Sequence, residues 1–335
     1  MGDEADKGGA RGPLALVLDL GGSWVRVALV TADGDLLWKE RKSTASQEGG
    51  TAVVARVDEL LQQGIVEAGE RGLAGIGMAL AGPVDPETGI MYSPPNNPGL
   101  DGVSLKAIWE KRVSCPVLVG NDATLAALGE YSYGAGVGAR TLVYITVSTG
   151  IGGGVVVDGR PLMGAHGMAA ELGHMKVQRN GPICQCGHDG CLESLASGTA
   201  ISEMARKLLE EGGVSTLGEM VAGDTARISA ETVFEAAEQG DVMSRDILLD
   251  VAQALGLGLV NVLHIFNPDV IVLGGGVSTN WDYLRPAVQS FIDANAMDHV
   301  LKMGFRLEVS SLGDDIGLLG AAALVWSGIS SQGPS

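Results

Sequence analysis

Apolar residues fall into short β-rich runs that end in glycine, and the pattern occurs twice along the chain. Residues 14–20 form the first run, with Asp19 near its end and Gly21-Gly22-Ser23 after it. Residues 24–30 read as a second strand, Asp33-Gly34 as a hairpin turn and residues 35–39 as a third strand. Residues 53–68 carry helical periodicity and residues 73–80 are again a strand. Turn-rich loops follow at 81–85 and 93–99. A helix near 105–111 leads to a strand at 117–120, and Asn121-Asp122 opens the next helix.

The pattern restarts at residues 141–147, a strand running into Ser148-Thr149-Gly150-Ile151-Gly152-Gly153-Gly154, read as a turn, with a second strand at 155–157. Helical stretches are expected near 199–211 and 242–266, and a strand at 269–273 ends in Gly274-Gly275-Gly276. A last apolar helix, 316–326, follows Asp314-Asp315, whose charge suits a helix N-terminus. A strand, glycine turn and strand at the front of each half predicts two α/β domains around a cleft. The expected division is a frayed tail over 1–13, a smaller domain over 14–120 and a larger one over 121–315. The C-terminal helix, about 316–328, is expected to pack back on the smaller domain.

Composition narrows the function classes. The chain has 335 residues, 46% hydrophobic, with 51 glycines and a net charge of −18. Such acidity argues against nucleic acid or an anionic membrane as a partner. Residues 251–266, the most apolar stretch, contain Gln253, Asn261 and His264 and are short for a bilayer. Cys115, before Pro116, reads as a buried core thiol. Few cysteines, most of them in one cluster, point to a reducing cytoplasm.

That cluster is Cys184-Gln185-Cys186-Gly187-His188-Asp189-Gly190-Cys191, with His174 upstream. Three thiolates and an imidazole are a tetrahedral Zn²⁺ set, and Gly187 and Gly190 permit the reversal that brings Cys191 back. A disulfide is the competing reading, but a Cys184–Cys186 bond would be strained and any pairing leaves one thiol over. With all four ligands used over 174–191, the zinc would be structural. The second nitrogen of His174 can then hydrogen-bond a substrate hydroxyl, and Glu171, one turn earlier, can accept from a neighbouring one.

The two glycine turns have phosphate-clamp chemistry. Converging backbone N–H groups plus a Ser or Thr hydroxyl suit phosphate oxygens at Gly21, Gly22 and Ser23, and again at Thr149 and Gly150. Either alone is more often a plain turn, and neither matches the P-loop or the Rossmann fingerprint. Asp19 is placed to partner Mg²⁺, directly or through water, and Gly274, Gly275 and Gly276 allow close approach of a flat nucleotide. Asp122 taken alone reads as a helix N-cap.

Together these motifs resemble the ROK family of sugar kinases and repressors, within the actin-like and hexokinase-like ATPases of ribonuclease H-like fold. The resemblance runs from Leu14 to about Trp326 and rests on Asp19-Leu20-Gly21-Gly22-Ser23, Asn121-Asp122-Ala123, Thr149-Gly150-Ile151-Gly152-Gly153-Gly154, Glu171-x-Gly173-His174, the cysteine knuckle with Glu193, and Gly274-Gly275-Gly276. It implies Asp122 as catalytic base, with Asn96, Asn121, Asp122, Glu171, His174 and Glu193 holding a sugar. It also implies ATP, Mg²⁺ and structural Zn²⁺ as cofactors and a homodimer or homotetramer. Ser23, Trp24, Asn97, Ser148 and Leu192 depart from the commoner residues at their positions and bear on which sugar is taken.

The implied reaction is transfer of the ATP γ-phosphoryl to the 6-hydroxyl of a hexose, with glucose first. The nearest alternative is an aminosugar: N-acetylmannosamine, N-acetylglucosamine or an aminodeoxyglucose. Polyphosphate stays open as a donor. A sugar-responsive repressor is the alternative of another class; only about a dozen residues precede the first strand, where a DNA-binding helix-turn-helix would be expected.

Overall fold

The computed structural model describes residues 12–328, so most of the expected tail, 1–11, lies outside the described residues. The chain divides into two compact units. The first holds the described residues up to 134, with 163–169 and 314–328; the second holds 135–162 and 170–313.

The first unit is built on five strands: β1 (Leu14–Leu20), β2 (Trp24–Val30), β3 (Leu36–Ser43), β4 (Leu73–Leu80) and β5 (Val117–Asn121). Their order is β3-β2-β1-β4-β5; β1, β2 and β3 form an antiparallel meander, and β4 and β5 run parallel to β1 and to each other. β1 is apolar almost throughout because both of its faces are covered. On one face Leu16 meets the helix Gly50–Ala68 at Gly64, where an added Cβ would lie 2.3 Å from Leu16 Cδ1. On the other, Gly77 of β4, the partner of Val17, leaves room for Ala321 of the helix Ile316–Trp326. A buried leucine such as Leu16 contributes about 1.5–3 kcal/mol by leaving water.

The Ile316–Trp326 helix has no polar face because it is covered twice, by the sheet and by the helix Asp122–Tyr133. Gly320 and Gly129 form the crossing: a Cβ on Gly320 would fall 2.0 Å from Leu125 O. This packing places the Asp122 helix in the first unit, so the boundary expected after residue 120 falls after Gly134 instead. The C-terminal helix packs on the sheet of the first unit.

The second unit carries β6 (Thr141–Val147), β7 (Ile151–Val157), β8 (Arg160–Pro161), β9 (Val270–Gly274) and β10 (Arg306–Val309), in the order β10-β9-β6-β7-β8. β6 and β7 form an antiparallel hairpin, while β9 runs parallel to β6 and to β10. The turn is shorter than expected, because Gly152, Gly153 and Gly154 lie inside β7. Gly153 is needed there by close approach: a Cβ would sit 2.6 Å from Leu172 Cγ and 2.7 Å from Ala170 O.

The helix Val242–Phe266 starts at its N-cap Asp241, which accepts the Ser244 N–H at 2.8 Å. By length and composition it could cross a membrane, yet 61% of its apolar window is buried in the second unit, the signature of a core helix. The sequence reading left unassigned the helices Ala230–Glu238 and Trp281–Asn295. The first has a capping box, Ser229 with Thr232, in which threonine stands where the recognisable sequence pattern has Glu or Gln.

Candidate functional site

In the first unit the turn Gly21–Ser23 joins β1 to β2, closed by Gly21 N–H donating to Trp24 O at 3.0 Å. Gly21 O accepts from Thr44 Oγ1 at 2.9 Å and from Asn97 Nδ2 at 3.3 Å. Gly22 touches the neighbouring loop, since a Cβ there would lie 2.8 Å from Asn96 Cβ. Asn96 and Ser23 are exposed and Asn97 is buried. The structure therefore brings Asn96 against the Gly21–Ser23 turn. Trp24 is half-exposed, with the Arg41 guanidinium stacked 4.6 Å from its ring centroid.

Asp19, the last residue but one of β1, lies beside the first turn of the Ile316–Trp326 helix, where a Cβ on Gly317 would fall 2.8 Å from its Cγ. Burial pushes its carboxyl up to about 7; Arg26 opposes this, and the charges of Asp122, Asp314 and Asp315 add to it. Arg26 Nη1 contacts Asp19 Oδ2 at 3.4 Å and donates to Asp314 O at 2.7 Å. Lys39 holds Asp315 at 2.7 Å. A buried carboxylate short of neutralising charge is a chemically apt partner for a divalent cation.

Asp122 is the first residue of its helix, but the N-cap is Asn121. Asn121 Oδ1 accepts from Ala123 N at 3.0 Å and Thr124 N at 3.1 Å, and its Nδ2 donates to Gly82 O at 3.2 Å. Asp122 Oδ1 adds a second bond from Ala123 N–H at 2.9 Å, so it supports the helix start without being the N-cap of its plain reading. Asn121 keeps one amide proton for a ligand. The charge of Asp122 reaches Asp19, so the two carboxylates belong to one electrostatic group.

In the second unit Glu171, Leu172, Gly173 and His174 make a 3-10 turn, shorter than the α-helical turn expected, with His174 N–H donating to Glu171 O at 3.0 Å. Gly173 lies flat on β7, as a Cβ would be 2.0 Å from Ile151 O. The ligand atoms of His174, Cys184, Cys186 and Cys191 all lie within 4.8 Å of one another, and all four thiols of the chain are free. His174 Nδ1 faces Cys184 Sγ at 3.6 Å, and Cys186 Sγ faces Cys191 Sγ at 3.6 Å. A tetrahedron with metal–sulfur bonds of about 2.3 Å has edges of about 3.8 Å, so these residues fit a four-coordinate cation. Gly190, at φ 65°, must be glycine because a Cβ would strike Gln178 O. Lys176 Nζ lies 3.4 Å from Cys191 Sγ. Burial pushes the Cys184 thiol up to about 12, so a bound cation would displace a proton.

Glu193 follows this knuckle, and its two oxygens point to different elements. Oε1 accepts from Cys184 Sγ at 3.4 Å; Oε2 accepts from Ile151 N at 2.9 Å. The Thr149-Gly150 turn and the cysteine knuckle are thereby joined, a link that no sequence spacing announced. Thr149 also lines a cavity of about 330 Å³ in the second unit, with Ser148, Arg206, Glu231, Phe234, Gly276 and Asn280. Gly275 holds φ 86° where a Cβ would hit Val147 O, while Gly276 opens to space. Arg206 is held by donating to Thr225 O at 3.2 Å and Ile228 O at 2.7 Å. The sequence reading missed Arg206, although it expected the helix near 199–211 that carries it, and missed Glu231, Phe234 and Asn280, which lie in helices it left unassigned.

The family model described as ROK family matches residues 15–327. The chain belongs to the ROK family. A glucokinase of Thermotoga maritima is 37% identical over 92% of this chain and 96% of its own. The crystal structure of a ROK hexokinase from Thermus thermophilus matches with a TM-score of 0.78 at 34% identity, over 92% of this chain and 97% of its own. A ROK glucokinase from Streptomyces griseus, in complex with glucose and AMPPNP, matches with a TM-score of 0.76 at 30% identity, over 94% of this chain and 100% of its own. The two-unit α/β architecture of this ROK protein is that of the actin-like ATPases, as the motifs led us to expect.

Proposed function

We propose that the protein is an ATP-dependent hexokinase that transfers the γ-phosphoryl to the 6-hydroxyl of glucose. The observation that carries the reading is the pairing of Asp122 with its cap: Asn121 caps the helix at Ala123 N and Thr124 N. The Asp122 carboxylate, whose Oδ1 also accepts from Ala123 N–H at 2.9 Å, stands beside it at the helix start and within reach of the charge of Asp19. Its role is to take the proton of the attacking 6-hydroxyl while the helix N-terminus favours its ionised form. Asn96, Asn121, Glu171, His174 and Glu193 hold the sugar's remaining hydroxyls. Gly21, Gly22 and Ser23 with Thr149 and Gly150 cradle the phosphates. The cavity lined by Gly276, with Gly274 and Gly275 leading into it along the chain, takes the nucleoside.

Mg²⁺, held through Asp19, would neutralise charge on the transferring phosphoryl. Zn²⁺ on His174, Cys184, Cys186 and Cys191 would order the knuckle and fix the His174 ring, leaving Nε2 to a sugar hydroxyl. The glucokinase named in the T. maritima relative and the glucose and AMPPNP of the S. griseus complex support glucose and ATP over the alternatives. Free thiols throughout suit a reducing cytoplasm, and we place the protein there as a homodimer or homotetramer. An ADP-release assay over glucose, mannose, N-acetylmannosamine and N-acetylglucosamine, with ATP or polyphosphate as donor, tests the reading. The expected result is the highest kcat/KM for glucose with ATP; a preference for either acetylated sugar or for polyphosphate contradicts it.

A further inference from the structure

Asn97 sits next to the sugar-facing Asn96 but is 1% exposed and cannot itself reach solvent. Its backbone is fixed on both sides, Asn97 N–H donating to Pro94 O at 3.1 Å and Leu100 N–H donating to Asn97 O at 2.9 Å. Its Nδ2 donates to Gly21 O at 3.3 Å, while its Oδ1 is buried with no donor among the described residues. The amide cannot be turned over to relieve this, because Gly21 O only accepts and must face the NH₂ group. A buried acceptor without a donor weakens a fold.

For folding alone the amide is dispensable. Gly21 O already accepts from Thr44 Oγ1 at 2.9 Å, and Thr44 is fully buried. An apolar residue of the same size would keep the packing and remove the orphan oxygen. What Asn97 adds is a tie between the segment carrying Asn96 and the turn Gly21–Ser23. Contact of Gly22 with Asn96 reinforces that tie, leaving 2.8 Å for a Cβ. Thr44 reaches the same carbonyl from the end of β3 and makes no such connection.

We infer that Asn97 is a positioning residue that couples the two ligands, so that seating a sugar on Asn96 sets the phosphate-binding turn and tightens the nucleotide. The inference rests on the hexokinase reading above. Thermodynamic linkage makes the effect reciprocal: the nucleotide tightens the sugar by the same factor.

Calorimetric titration of AMPPNP into the full-length protein, with and without saturating glucose, tests this in wild type, Asn97→Leu and Thr44→Val. In wild type, glucose should tighten AMPPNP by about 5-fold or more, within the usual range for coupled sites. Asn97→Leu should keep the wild-type Tm and bind each ligand alone, with the coupling factor reduced to within about twofold of unity. Thr44→Val should weaken AMPPNP with and without glucose while keeping the coupling. If Asn97→Leu misfolds, Asn97→Asp, which keeps the shape but turns an acceptor toward Gly21 O, should show the same loss of coupling. Wild-type coupling in either folded Asn97 variant overturns the inference, as does a wild type that binds both ligands with no mutual effect. A wild type that binds neither glucose nor AMPPNP overturns the hexokinase reading itself.

Discussion

Glu193 accepts the Ile151 N–H at 2.9 Å while its other oxygen meets Cys184 Sγ at 3.4 Å. One carboxylate therefore touches both the cysteine knuckle and the glycine turn that precedes β7. Gly150 makes room for the same contact, because a Cβ there would lie 2.5 Å from Glu193 Oε2. Loss of the Cys184 proton to a cation would remove that donor from Glu193, so a change at the knuckle should be felt at the turn before β7.

Removing the metal, or making Cys184→Ser, should lower Tm and raise the glucose KM by about 10–100-fold, the usual worth of groups that orient a metal ligand. Because Glu193 links knuckle and turn, the ATP KM should rise too, by a smaller factor. Elemental analysis alongside both constants is the check. Protein free of zinc with wild-type Tm and KM values would rule out the metal site.

Gly150→Ala should fold, since the atom it meets is the end of a flexible side chain, but should push Glu193 off Ile151 N. A hydrogen bond to a charged group contributes about 1.5–3 kcal/mol, so ATP and glucose KM values should both rise by roughly 10-fold or more. Steady-state kinetics beside a thermal melt, with a lowered Tm, would show it; unaltered KM values would mean that the bridge is not used.

Asp122→Asn should keep the fold and the sugar affinity, because Asn121 remains the cap, and should lose about 10²–10⁴-fold in kcat. Glucose binding by calorimetry and turnover on the same preparation separate the two effects. Turnover close to wild type would remove Asp122 as the base.

The raised carboxyl of Asp19 sets a pH dependence with a definite sign. Protonation near pH 7 would cancel the charge we propose for holding Mg²⁺, so kcat/KM should fall as pH drops through about 7. More Mg²⁺ should move that limb to lower pH. Stability runs the other way: a carboxyl raised from 3.8 to about 7 binds more protons folded than unfolded, so stability falls as pH rises between those values. Asp19→Asn should flatten that part of the stability curve, as thermal melts from pH 4 to 8 would reveal. A curve in the variant as steep as in wild type would exclude Asp19 as its source.

Much of the site could be read from the sequence because its chemistry is local. The Asp19–Ser23 turn, the cysteine knuckle and the Gly274–Gly276 turn each lie within a few residues, where spacing carries the information. The domain boundary was not legible, since the Asp122 helix is assigned by packing between Gly129 and Gly320, far apart in sequence. Glu193 with Ile151, Thr44 with Gly21 and Asn97 with Gly21 are likewise tertiary contacts without a local pattern. The extent of β7 was misread because glycines signal a turn and a close approach equally well, and only the proximity of Leu172 to Gly153 distinguishes them.

The central claim is tested most directly by the product. Wild-type protein incubated with glucose, ATP and Mg²⁺ and followed by ³¹P NMR should give glucose 6-phosphate and ADP in equal amounts. ADP formed without a sugar phosphate, or phosphate placed on another hydroxyl, would contradict the account.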